Sequence, residues 1–202
     1  PDTLQTIRSM GFDSPTRVDA VIRGWHHGRY RAVRSTRARE ILTELLPSLL
    51  DAMSATPDPD TALLKFDEFL QGLPAGVQLF SMIKANPLLM ELLAEIMGIA
   101  PRLADHLSSR PAVLDSVLTP DFFDSLPSIC EMKEELDCYL ARAEYIEDTL
   151  NYGRRWAHDR RFQVGVQQLR GLIPPAEAAT AHSNIAETAV DCLFKPIQLK
   201  FN

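Results

Sequence analysis

SICEMKEELDCYLARAEYIEDTLNYGRRWAHDRRFQVGVQQLRGLI, residues 128–173, holds no proline and carries the longest periodic signal in the chain. Ile129, Met132, Leu136, Tyr139, Ala143, Ile146 and Leu150 recur at alternating steps of three and four. That is a heptad seam, kept for about three heptads. Ser128 followed by Glu131 has the form of a capping box, so a helix start is expected at the left edge. A dimerising coiled coil would use such a seam, but so would a long helix packed inside a bundle. The second reading is preferred, because the flanking segments also need partners. Beyond Gly153 the seam weakens, and at Arg160 it turns polar. Phe162, Val164 and Val166 then alternate with Gln163 and Gly165, which permits a short strand. With no breaker before Pro174-Pro175, continued helix is the expectation. It sets the class: an all-α multi-helix bundle with a long central helix near 128–172.

Outward from this stretch the same signals repeat. Pro15, Pro59, Pro87, Pro101, Pro111 and Pro175 each precede an apolar-periodic run, and proline at a first helical position loses no hydrogen bond. Ser14, Asp58 and Asn86 stand before three of them as N-cap candidates. Leu42, Leu45, Leu46, Leu49, Leu50 and Met53 trace one helical face, and Leu89, Leu92, Leu93 and Ile96 another, with Gly98 as a natural stop. No β-branched runs alternate with turn signals, and no repeat of 20–50 residues is found. Roughly eight to ten helices are expected. The loop around residues 54–62 is the expected boundary between a basic helical arm, 1–54, and a bundle, 55–202.

Composition sets outer limits. At 202 residues, 46% hydrophobic and 24% charged, the chain can bury a globular core. A net charge of -6 argues against a dedicated nucleic-acid binder. Cys130 and Cys138 would sit roughly 12 Å apart on one helix, too far for a disulfide, so a reduced, cytoplasmic compartment is expected. No apolar run is long enough to span a bilayer. The missing initiator Met suggests a piece of a longer protein.

Three stretches carry a resemblance. LPAGVQLFSMIKANPLLMELLAEIMGIAPRLADHLSSRPAVLDSVL (73–118) is similar to the opening of the second catalytic half of bacterial glutamine synthetase adenylyltransferases. GWHHGRYRAVRSTRARE (24–40) resembles the linker between that family's two halves, and RRFQVGVQQLRGL (160–172) the Arg-rich helix ahead of its catalytic sheet. The resemblance implies a parent with two nucleotidyltransferase-like domains. One transfers AMP from ATP to a tyrosine of glutamine synthetase, and the other removes it by phosphorolysis. It further implies Mg²⁺, control by glutamine, and a PII-type signal protein as a second partner. The family's catalytic signature is Gly-Ser followed about ten residues on by Asp-x-Asp, which binds triphosphate and holds metal. This chain has no Gly-Ser, and its one Asp-x-Asp, Asp58-Pro59-Asp60, lies in a proline loop. Capping is the expected role of that pair. No catalytic residue carries over, and the expected role of the chain is structural and regulatory, ahead of a catalytic sheet it does not contain.

Two basic clusters are candidate binding sites. Arg23, Arg29, Arg31, Arg34, Arg37 and Arg39 crowd residues 23–39 with Trp25 and Tyr30 and no acidic residue. A solvated face is the plain reading. Docking of an acidic partner or of a nucleic acid is the alternative, with Arg29, Arg31 and Arg34 as candidates. Arg154, His158 and Arg161 share a helix face at i, i+4 and i+7. Its cations could attract ATP phosphates, although an ion-paired bundle helix is preferred. His26-His27 point about 100° apart on a helix and make a poor metal pair. Nothing marks a nucleophilic catalytic site, and an autonomous helical enzyme is the remaining rival.

Overall fold

Proline punctuates this chain, and the reason is the helix N-terminus. The computed structural model describes residues 2–201, without the side chains of 120, 195, 196 and 199–201. In it Pro15, Pro59, Pro87, Pro101 and Pro175 each open a helix, where the absent N–H would have no partner anyway. Asp58 and Asn86 cap as expected, their side-chain oxygens accepting from the N–H of Thr61 and Leu89. Ser14 makes no side-chain cap bond. Pro47 breaks the pattern, lying inside a helix that runs through it.

The described residues form eleven α-helices, two 3-10 turns and no strand, so the protein is all-α. They fall into two compact units, Pro1–Ala112 and Val113–Asn202. The units do not follow the expected boundary at 54/55, because helices on both sides of that loop bury into one core.

The first unit contains α1 (Thr3–Ser9), α2 (Pro15–His26), α3 (Thr36–Ser54), α4 (Pro59–Gly72), α5 (Val77–Ala85), α6 (Pro87–Ile99) and α7 (Pro101–Ser109). Its hub is α6, which packs on α3, α4, α5 and α7. Leu89, Met90, Leu92, Leu93, Ala94, Ile96 and Met97 are all buried, a wide apolar face that needs several partners, while Glu91 stays exposed on the remaining face. Gly98 does not stop this helix. It lies inside α6, where an added Cβ would come 2.7 Å from Thr56 Cβ; the stop comes from Pro101 opening α7. The Leu42–Met53 face of α3 is buried as read, with Leu46 at its margin.

The second unit contains α8 (Val113–Val117), α9 (Ile129–Leu140), α10 (Ile146–Leu169) and α11 (Pro175–Phe201). Met132, Leu136, Trp156, Ala157, Val164 and Ile185 share its core. The single long helix expected near 128–172 is two helices. Residues 141–145 reverse the chain, and α9 packs back onto both α10 and α11. The Tyr145 N–H donates to Asp148 Oδ2 at 3.2 Å, closing the new N-terminus. Met132 and Leu136 are buried, whereas Tyr139 and Leu150 are 45% and 40% exposed, so the heptad seam is not one contact surface. The expected capping box at Ser128 is present. Phe162, Val164 and Val166 lie in helix, all buried; α10 is enclosed on two sides there, which explains an alternation that imitates a strand.

Candidate functional site

Asp58 and Asp60 have the Asp-x-Asp spacing of a metal site. Asp58 Oδ1 accepts from the Thr61 N–H at 2.9 Å and Oδ2 from the Thr61 hydroxyl at 2.6 Å. The Thr61 bonds hold the Asp58 carboxyl below the usual carboxylate range. Asp60 points elsewhere: its oxygens accept from the N–H groups of Asp13 and Ser14 at 2.8 and 3.1 Å. Asp60 thus takes up the N–H of Ser14 at the start of α2 and of Asp13 just ahead of it. Each of the four carboxylate oxygens accepts from a donor at a helix start, and the two carboxylates serve different helices. Among the described residues, no group of three or more His, Cys, Asp or Glu is placed to hold a metal ion.

The basic segment forms the turn between α2 and α3, and it is built from beneath. Trp25 Nε1 and the Tyr30 hydroxyl donate to the two oxygens of Asp67 on α4 at 2.7 and 2.8 Å. Burial, then the Asp67 carboxylate, raises the Tyr30 phenol pKa. Gly28 takes φ 71°, the left-handed conformation that lets the chain leave α2. Arg39 reaches back to the carbonyls of Val33 and Arg34 at 3.2 and 2.6 Å. Two other arginines are paired, Arg23 with Asp19 and Arg37 with Glu40. Arg29, Arg31 and Arg34 remain exposed, Arg29 with its guanidinium over the Tyr30 ring at 5.4 Å.

In the second unit Arg154, His158 and Arg161 all lie on the exposed face of α10, as their spacing implies. Arg160, one residue away, faces inward. Glu135 Oε2 accepts from Arg160 Nε and Nη2 at 3.0 and 2.5 Å and from Trp156 Nε1 at 2.9 Å. Arg160 Nη1 then donates to Gln163, and Gln163 and Gln167 both donate to the Phe122 carbonyl, at 2.9 and 2.8 Å. This network ties the 120–123 turn to α9 and α10. It is half-buried and structural, and spacing alone could not separate Arg160 from its exposed neighbours.

One feature escaped the sequence reading. His26, Thr36, Arg39, Glu40, Thr43 and Glu44 line an open groove of about 430 Å³ along α3. The i, i+3, i+4, i+7 recurrence of polar residues from Thr36 was the available signal. His26 Nδ1 lies 3.4 Å from the Thr43 hydroxyl, and His27 Nδ1 lies 2.6 Å from the Arg23 carbonyl oxygen, so the adjacent histidines share no ligand. No described helix is long and apolar enough to cross a membrane.

A sequence model described as "Glutamate-ammonia ligase adenylyltransferase" matches residues 90–198. The chain is 44% identical over 201 residues to a Mesorhizobium japonicum protein named "Bifunctional glutamine synthetase adenylyltransferase/adenylyl-removing enzyme". Proteins of the same name from Brucella melitensis and Caulobacter vibrioides are 45% and 40% identical over 190 and 192 residues. The alignments cover 100%, 94% and 94% of this chain and 20%, 19% and 19% of the relatives, so the chain spans about a fifth of their length. Over the whole of its helical extent, the chain belongs to the glutamate-ammonia ligase adenylyltransferase family.

Proposed function

We propose that this chain is a helical part of a bifunctional enzyme that attaches AMP to glutamine synthetase and removes it, and that its own role there is structural and regulatory. It supports a neighbouring catalytic sheet and relays signals between the two halves. The observation that carries this reading is the full-length likeness to relatives of that name, of which the chain matches only 20%. The use of Asp58 and Asp60 at helix starts supports it, since the one sequence that imitates the acidic signature is spent on helix ends. By this reading ATP, Mg²⁺ and the phosphorolytic reaction belong to sequence outside residues 1–202. Glutamine synthetase and a PII-type signal protein are the partners of the parent, in the cytoplasm. By this reading Arg154, His158 and Arg161 belong to an exposed, ion-paired helix of the supporting bundle.

The test is direct. The chain is incubated with labelled ATP, Mg²⁺ and glutamine synthetase, beside an intact relative. The relative should label the target tyrosine and the chain should not. Labelling by the chain alone would end the proposal.

A further inference from the structure

We infer that the turn carrying Arg29, Arg31 and Arg34 is a docking surface for an acidic polypeptide segment. The inference is independent of the catalytic reading above, since it concerns one surface of the first unit.

Three observations carry it. First, the arginines of this segment divide sharply. Arg23, Arg37 and Arg39 are taken up by Asp19, Glu40 and two backbone carbonyls. Arg29, Arg31 and Arg34 make no ion pair among the described residues, in a chain whose net charge is -6. Three like charges within one turn repel one another, and a bidentate carboxylate relieves that repulsion. Second, the turn is not free to scatter them. Tyr30 is anchored on Asp67 beneath it, Arg39 ties its two carbonyls from α3, and Arg29 lies over the Tyr30 ring. A preorganised display loses less entropy on binding than a mobile one. Third, α3 begins two residues after Arg34 and has no acidic residue in its first turn, so its positive end adds to the same field.

The chemistry favours polypeptide over nucleic acid. Single strands need exposed rings to stack upon, yet Trp25 and Tyr30 are 1% and 8% exposed, both tied to Asp67. A continuous phosphate backbone leaving the turn along the α3 groove would meet Glu40 and Glu44. A polypeptide can place carboxylates on the three arginines and pass Glu40 with a neutral residue.

Binding of a fluorescent peptide of alternating glutamate and glycine, and of a short DNA duplex, to the whole chain, followed by anisotropy at low and moderate salt, tests the inference. The variant Arg29→Gln/Arg31→Gln/Arg34→Gln is compared with a control carrying the same charge change, Arg8→Gln/Arg17→Gln/Arg102→Gln, at exposed positions elsewhere. The peptide should bind the native chain and lose about tenfold in affinity in the turn variant, the worth of three exposed contacts, with little change in the control. Should the triple variant fail to fold by circular dichroism, Arg31→Gln/Arg34→Gln keeps the Arg29–Tyr30 contact and should still show most of the loss. Equal weakening in the turn variant and the control, no peptide binding at low salt, or preference for the duplex would each overturn the inference.

Discussion

At the scale of single residues, this protein satisfies buried or half-buried donors with carboxylates from neighbouring helices. Asp67 serves Trp25 and Tyr30, and Glu135 serves Trp156 and Arg160. Glu135→Ala leaves a half-buried guanidinium and an indole N–H without an acceptor. The Arg160 and Glu135 side chains are 24% and 31% exposed, so the expected loss is about 2 kcal/mol rather than a full buried-pair penalty, read as a lower urea midpoint. Cys192 offers a chemical reading of the same core. Burial, then its bond to Asp137, pushes its thiol up to about 11, whereas Cys130 and Cys138 are exposed. Near neutral pH the two exposed thiols should alkylate quickly and Cys192 slowly, by mass spectrometry of timed samples, because the thiolate is the nucleophile. His182 gives a pH dependence. Burial, then Arg161, lowers its pKa from the ordinary 6.5, so below that value the unfolded chain takes up the proton first. Its contribution is complete above about pH 6.5 and is lost as pH falls through the lowered folded value. The urea midpoint should drop in that window, and the drop should shrink in His182→Gln; an unaltered pH profile in that variant would count against the assignment.

At the scale of elements, the sequence was legible where a helix end has a chemical marker. Pro15, Pro59, Pro87, Pro101 and Pro175, Asp58, Asn86 and the Ser128–Glu131 box all mark helix starts that the structure contains, whereas Pro111 lies in a turn two residues ahead of α8. The reversal at 141–145 was not legible, because Ala141-Arg142-Ala143-Glu144 holds neither glycine nor proline and the three-four spacing continues across it by chance. Only Asp148, accepting from the Tyr145 N–H, marks the new start, and that bond is identifiable only once the chain has turned. The basic turn divided likewise: exposed Arg29, Arg31 and Arg34 were named from sequence, but nothing in spacing reveals that Arg39 is a structural tie. Close helix approach is a third property hidden from periodicity. At Gly72, in α4, a Cβ would lie 2.8 Å from the Ser108 carbonyl oxygen of α7. Because that atom is backbone and cannot swing aside, Gly72→Ala should destabilise by about 1–3 kcal/mol despite the better helix propensity of alanine. A raised melting temperature would contradict the packing described.

At the scale of the whole chain, each compact unit holds its own core, with α6 central to one and the Trp156–Ile185 cluster central to the other. Residues 113–202 expressed alone should therefore be helical and unfold cooperatively. A non-cooperative melt would show that the second core is incomplete. The proposed scaffold role of this chain in an adenylyltransferase meets its sharpest test at the one acidic pair resembling a metal site. Asp58→Asn/Asp60→Asn in the intact parent enzyme separates the two roles by giving two readouts, AMP incorporated into glutamine synthetase and thermal stability. Capping predicts essentially unchanged AMP transfer below the melting temperature, with a modestly lower melting temperature as two helix ends lose their ionic acceptors. Loss of AMP transfer by orders of magnitude with stability intact would place catalysis within these residues and contradict the claim.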